Sequence, residues 1–185
     1  MKFIQESAKK WSAMELSYRK VKYPRLEFRT GELIMILPHG KKPEDLLIKY
    51  SGWIKEKELF IKRSLEAAKK KKLNKRDLNG LKKLVQSFID EYSEELGVHA
   101  NRISYREMKS KWGSCSNFGN LMFNPDMKYL PKKLISYIVF HELTHMISRK
   151  HNAKFWEVIK TKFKDHEEIE RELFEYWFGI KTLNN

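Results

Sequence analysis

Leu134-Ile135-Ser136-Tyr137-Ile138-Val139-Phe140-His141-Glu142-Leu143-Thr144-His145-Met146-Ile147 is the stretch that decides how this chain is read. It is apolar, of helical length, and preceded by Pro131, a residue favoured in the first turn of a helix. Three ionisable side chains inside such a helix are costly unless something satisfies them. A metal ion would. Two histidines four residues apart project from one face, so both imidazoles reach the same ion. Glu142 then stands beside the water that the ion polarises, where a carboxylate serves as general base.

A tetrahedral zinc with one open position needs a third protein ligand, and His151 is the candidate. On an unbroken helix His151 would lie about 9 Å further along the axis and turned away. The helix must therefore end near residues 147–150, where Ser148-Arg149-Lys150 offers a polar exit with cations suited to a helix C-terminus. The spacing from the second to the third histidine is that of the metzincins, but Ser148 stands where their turn glycine would be. A rival third ligand, as in gluzincins, would come from Glu167, Glu168, Glu170 or Glu172, which read as ordinary helix surface. The expected set is His141, His145 and His151 around one Zn2+ per chain, with Glu142 as the catalytic base. The competing reading leaves His141 and His145 as buried histidines bonded to backbone carbonyls.

The composition of the 185 residues fits a folded domain: 41% hydrophobic, with 11 Phe, 8 Tyr and 5 Trp, is ample for a core. One cysteine excludes an intramolecular disulfide framework. No apolar run reaches transmembrane length, and Met1-Lys2-Phe3-Ile4-Gln5-Glu6-Ser7 has no signal-peptide core. The expectation is a soluble cytoplasmic protein without a membrane partner. Net charge is +14, and residues 1–97 carry 23 basic against 14 acidic side chains. The densest stretch, Lys62 to Lys83, includes Lys69-Lys70-Lys71-Lys72 and Lys75-Arg76. It reads either as an electrostatic footprint for nucleic acid or as a solvated helix face. Lysines without interleaved aromatics attract phosphate but read no bases.

Along the chain, residues 21–37 read as a hairpin, with Leu26 and Phe28 alternating with charges, a turn at Thr30-Gly31 and a buried return strand Leu33–Leu37. Residues 44–72 read as one long helix, and Lys69 to Asn79 as a loop. Residues 80–96 form an amphipathic helix on Leu81, Leu84, Val85, Phe88, Ile89, Tyr92 and Leu96, stopped by Gly97. Two strands are expected near 102–110 and 119–124, joined through residues 115–119. A short helix over 153–163 and a final helix capped by Asp165 with Glu168 follow. The organisation is a basic N-terminal region, 1–78, continuous with a core, 79–185. The fold class is α+β: a small antiparallel or mixed sheet packed on several helices, one of them the metal helix.

Other residues carry less. Cys115 is either a redox-sensitive thiol or fourth zinc ligand, or a small residue in a tight turn. Trp112 and Gly113 shape a wall beside the metal. Phe155-Trp156 packs the core and backs His151. His39, His99 and His166 have no ligand spacing. Asn124 and Tyr137 are polar groups near the site, and Arg149 and Tyr129 are candidates for stabilising an oxyanion.

Trp112-Gly113-Ser114-Cys115-Ser116, Gly119-Asn120-Leu121, Asn124, the His141–His145 motif, His151 and Phe155-Trp156 together resemble the YgjP-like metallopeptidase family, in its order and near its spacing. The Lys/Arg-rich N-terminal strands, Leu37-Pro38 and the Trp53-Ile54 helix also fit. The likeness is strongest from about Arg102 to Phe163. It implies a zinc-dependent peptidase-like fold of the zincin group, related to SprT-like domains; a peptide or protein substrate is the expectation from the chemistry, against a non-catalytic zinc-stabilised module binding nucleic acid or protein, or a metal-dependent amidohydrolase of a non-protein substrate. Some SprT-like proteins are proteases of DNA-bound protein, which is why the charge bears weighing. In zincins an edge strand beside the active helix holds extended peptide, and the resemblance assigns that part to Asn120-Leu121-Met122-Phe123.

Overall fold

A computed structural model describes residues 14–29 and 32–181, which divide into two compact units, Met1–Glu66 and Ala67–Asn185. In the first unit, β1 (Met14–Tyr18), β2 (Arg25–Arg29) and β3 (Glu32–Leu37) form a sheet in the order β1-β3-β2. The β2–β3 pair is antiparallel, with Leu26 opposite Met35 and Glu27 opposite Ile34, as the alternation predicts. The turn residues Thr30 and Gly31 lie outside the described residues. The strand β1, absent from the sequence reading, runs parallel to β3. Buried Met35, Leu37 and Leu46 make this unit's core with Leu26 and Leu47.

The single helix expected over 44–72 is two: α1 (Glu44–Lys49) and α2 (Ser51–Ala68). Tyr50 leaves helical geometry at φ −109° and ψ 16°. Gly52, the weakest helix former of that stretch, follows two residues on, so the backbone yields there.

The second unit is built around α4 (Lys132–Ile147). Every residue from Leu134 to Phe140 and from Glu142 to Thr144 is buried, while His141 and His145 are half-buried. Along it lies α3 (Leu78–Leu96), which buries Leu81, Val85, Phe88, Ile89 and Tyr92. That helix starts two residues earlier than the periodicity suggests, because the Asp77 side chain accepts from Gly80 N and caps it. It stops at Gly97, whose φ of 63° is the left-handed geometry glycine accepts freely. The last helices, α5 (Ala153–Lys162) and α6 (His166–Lys181), complete the cover.

The sheet of this unit departs from expectation. It contains β4 (Arg102–Tyr105), β5 (Gly113–Cys115) and β6 (Asn120–Phe123) in the order β4-β6-β5. The strand expected over 102–110 stops at Tyr105, and residues 106–112 are a loop. Instead Gly113-Ser114-Cys115, read as part of a turn, is a strand antiparallel to β6, while β4 runs parallel to β6. Asn120–Phe123 is therefore the central strand, and the edge that faces α4 is β5. The bend that makes this possible is clasped by fully buried Asn124. Its Nδ2 donates to the carbonyls of Met108 (3.0 Å) and Lys111 (3.2 Å), its N–H donates to Trp112 O (2.8 Å), and its Oδ1 accepts from Asp126 N (3.1 Å). Every polar atom it offers is used, the condition under which a buried amide stabilises rather than costs.

Parts of the lysine-rich stretch have partners. Lys71 Nζ lies 2.9 Å from both Glu172 Oε1 and Glu175 Oε2. Arg76 Nη1 donates to the carbonyls of Lys128 and Leu130, each at 3.2 Å. These two cations tie residues 69–77 to their own unit. Among the described residues no helix is long and apolar enough to cross a membrane.

Candidate metal centre

Two of the three histidines come from the last turns of α4 and the third from the segment after it. The helix ends because Ser148 turns extended, at φ −139° and ψ 112°, while its N–H still bonds to Thr144 O. This geometry suits any L-residue, which is why a serine stands at the bend without strain. Its Oγ lies 3.1 Å from Lys150 O and 2.9 Å from Asn152 Oδ1. That same Oδ1 accepts from Phe155 N at 3.0 Å and caps α5. The five residues between His145 and His151 are thus folded into a short return, and His151 comes back over the helix.

The result is a three-imidazole cluster. Ring centroids are 5.1 Å apart for His141 and His145, 5.0 Å for His141 and His151, and 4.9 Å for His145 and His151. One ligand atom of each lies within 4.8 Å of the other two. The Phe155 ring sits 4.9, 4.8 and 4.6 Å from the three and floors the cluster. Trp156 backs His151 at 5.6 Å and is itself stacked on His166 at 4.9 Å.

The electrostatics favour neutral rings. Burial, then the charges of His145 and His151, push the His141 pKa down to about 3. Burial also lowers that of His145, whose Nδ1 faces Ser148 O at 3.3 Å. With Nδ1 turned to that carbonyl, the other nitrogen of His145 is left for the cluster. His141 Nδ1 is buried without a hydrogen-bond partner. Imidazoles with converging nitrogens, two of them held towards the neutral form and one in a ring left short of partners, suit a divalent metal.

Glu142 is 7% exposed, and burial raises its pKa to about 8 against the opposing pull of Lys111. Its side chain lies against the backbone of β5 at Gly113. The other candidates fall elsewhere. Glu170 Oε1 accepts from Tyr137 OH at 2.8 Å, Glu168 pairs with Arg171, and Glu172 pairs with Lys71. None joins the histidines, and among the described residues the histidine trio is the one group with metal-ligand geometry. Cys115 is outside it; burial raises its thiol pKa, and Arg149 Nη1 approaches Sγ at 3.6 Å. Arg149 is committed to Ser116 O (2.6 Å) and Asn117 O (2.8 Å), bracing the segment before His151 against the β5–β6 turn. Tyr137 packs on His141 at 5.8 Å. His39 stacks on Tyr18 in the first unit.

Sequence reasoning missed two contacts. The sequence reading placed Gly113 in a wall beside the metal, but nothing in it pointed to Glu142 as the side chain it meets. The Arg149 brace joins residues more than 30 positions apart and has no local signature.

A family profile described as the YgjP-like metallopeptidase domain matches residues 3–176. Among solved structures, the metallopeptidase zymogen abylysin of Pyrococcus abyssi is 23% identical over 48% of this chain and 90% of its own, with a TM-score of 0.45. The zymogen of Methanocaldococcus jannaschii jannalysin is 26% identical over the same shares, with a TM-score of 0.43. No curated protein sequence matches the chain.

Proposed function

The chain belongs to the YgjP-like metallopeptidase family, and on that premise we propose that it hydrolyses peptide bonds at a zinc held by His141, His145 and His151, with Glu142 as general base. The observation that carries this reading is the convergence of three imidazoles from α4 and its return segment, with one buried carboxylate adjoining them in sequence. Three protein ligands leave an open position, the signature of a catalytic rather than structural zinc site.

When bound, zinc supplies Lewis acidity to a water molecule and to the peptide carbonyl it attacks. Glu142 accepts the proton of the attacking water and returns it to the leaving amine. Burial raises its pKa above the ordinary carboxylate range, and a bound cation would draw it back to the ionised form that a base requires. His145, its Nδ1 facing Ser148 O, keeps its ring oriented. The strand β5, at the edge of its sheet among the described residues and with α4 beside it, is suited to receive an extended peptide as a further strand.

The test is zinc content and peptide-library cleavage on purified wild type and Glu142→Gln. One zinc per chain in both, with cleavage in wild type alone, supports the reading. Full cleavage by Glu142→Gln overturns Glu142 as base, and zinc-free active protein overturns the metal assignment.

A further inference from the structure

We infer that Gly113 is a positioning residue for Glu142: β5 has no side chain there so that the Glu142 carboxylate can lie against its backbone. The inference rests on the role proposed for Glu142 and names the part of the fold that aims it.

The backbone of Gly113 gives no reason for a glycine. The positive-φ glycines of the described residues are Gly40, Gly97 and Gly119, and Gly113 is not among them. A strand position with ordinary geometry accepts any residue, and glycine there weakens the strand. Space is the reason. A Cβ built on Gly113 would meet Glu142 Cγ at 2.7 Å, Oε1 at 2.9 Å and Cδ at 3.0 Å. All three nearest atoms belong to this one side chain, and all are at or under the separation real Cβ atoms respect.

Neither backbone can retreat. Gly113 is paired to Phe123 in the sheet, and the residue before it is held by Asn124 N to Trp112 O at 2.8 Å. The loop leading there is clasped through Met108 and Lys111. On the other side, the residues that follow Glu142 on α4, Leu143 and Thr144, are fully buried. A methyl at Gly113 would therefore be relieved by rotation of the Glu142 side chain, which carries the carboxylate away from its place. The three nearest atoms include none from the histidines, so metal binding should survive what the carboxylate does not.

The experiment is Gly113→Ala made in wild type, in Glu142→Gln and in Glu142→Ala, with zinc content, cleavage kinetics and thermal midpoint on each. In wild type, Gly113→Ala should keep its zinc, lose about 100-fold or more in kcat, and melt about 5 °C lower. In Glu142→Gln, which is as large as glutamate, the midpoint cost should remain while no further rate is lost. In Glu142→Ala, which removes the obstructing atoms, the midpoint cost should vanish. An equal midpoint cost in the Glu142→Ala background overturns the inference, as does wild-type kcat in Gly113→Ala when Glu142→Gln is inactive. If Glu142→Gln retains full activity, the general-base reading fails instead, and the thermal cycle still decides whether Gly113 makes room for Glu142.

Discussion

His151 Nε2 lies 3.0 Å from His141 Nε2, although ten residues and the end of a helix separate them. The approach depends on the return segment. Ser148 and Asn152 hold its two ends together, Trp156 backs the third ring, and Phe155 floors all three. Replacing His151 with alanine leaves two imidazoles on α4 and no third donor. Zinc affinity should fall by at least about 100-fold, more than the 10- to 100-fold typical of losing a supporting contact. Asn152→Ala should fall within that smaller range and cost about 1 kcal/mol through its lost cap. Competition with a chromogenic chelator measures the affinities, and urea denaturation of the metal-free proteins measures the cap. Equal zinc affinity in wild type and His151→Ala would remove His151 from the ligand set.

Glu142 gives a pH signature in metal-free protein. Burial raises its folded pKa from 4.5 to about 8, so the folded chain holds a proton that the unfolded chain has released. Stability from this group is therefore greatest below pH 4.5 and declines as pH rises towards 8. His141 acts in the opposite sense, since its pKa is pushed from 6.5 down to about 3 and folding is favoured as pH rises through that range. Comparison with Glu142→Gln isolates the first effect. Between pH 5 and pH 8 the chelator-treated variant should gain on wild type by an amount on the order of a few kcal/mol. A difference that stays constant with pH would show that Glu142 titrates as an ordinary solvated carboxylate.

The helix α4 was legible because its signals are local: Pro131 at its start, an apolar run, and histidines spaced by one turn. The same holds for α3, whose stripe from Leu81 to Tyr92 follows the helical period, and for the hairpin register of Leu26 against Met35. What was not legible depends on pairing between distant residues. Gly113-Ser114-Cys115 has too few residues to show a strand pattern, and it becomes a strand only because Asn124 bends the preceding loop and β6 lies alongside. Misreading it moved the sheet edge onto β6. The break at Tyr50 was hidden because the apolar residues on either side keep the helical spacing. The charges of Lys71 and Arg76 looked like solvated surface until their partners, about 100 and 50 residues away, were in place.

Asn124 should be intolerant of its closest isostere. Asn124→Asp keeps the size but places a carboxylate oxygen against the carbonyls of Met108 and Lys111, where an N–H donor stood. Asn124→Ala leaves both carbonyls without that donor. Each should cost about 2–4 kcal/mol in urea denaturation, with aspartate at least as costly as alanine. Because the clasp holds the loop that leads into Gly113, both variants should also lose kcat while zinc content stays near one per chain. Aspartate milder than alanine would show that shape rather than hydrogen bonding sets this position.

The second unit meets an alkaline limit at Lys71. Burial alone would lower the pKa of Lys71, but the hydrogen bonds and charges of Glu175 and Glu172 outweigh it, and the folded pKa lies above 10.5. A raised lysine pKa stabilises the fold fully below the unfolded value, and that contribution disappears as pH rises through the folded one. The same ammonium covers the Tyr176 ring at 5.3 Å, and Tyr176 OH reaches Lys72 O at 3.5 Å, so one side chain joins residues 71–72 to α6. Wild type should therefore lose stability above pH 10.5 more steeply than Lys71→Met, which keeps the apolar stem but carries no charge to lose. Below pH 9 the order should reverse, with Lys71→Met the weaker, because two carboxylates are left facing each other without their cation. Urea midpoints from pH 8 to 11.5 for both proteins follow the two limbs, and parallel curves across that range would show that the Lys71 bridge adds nothing to the fold.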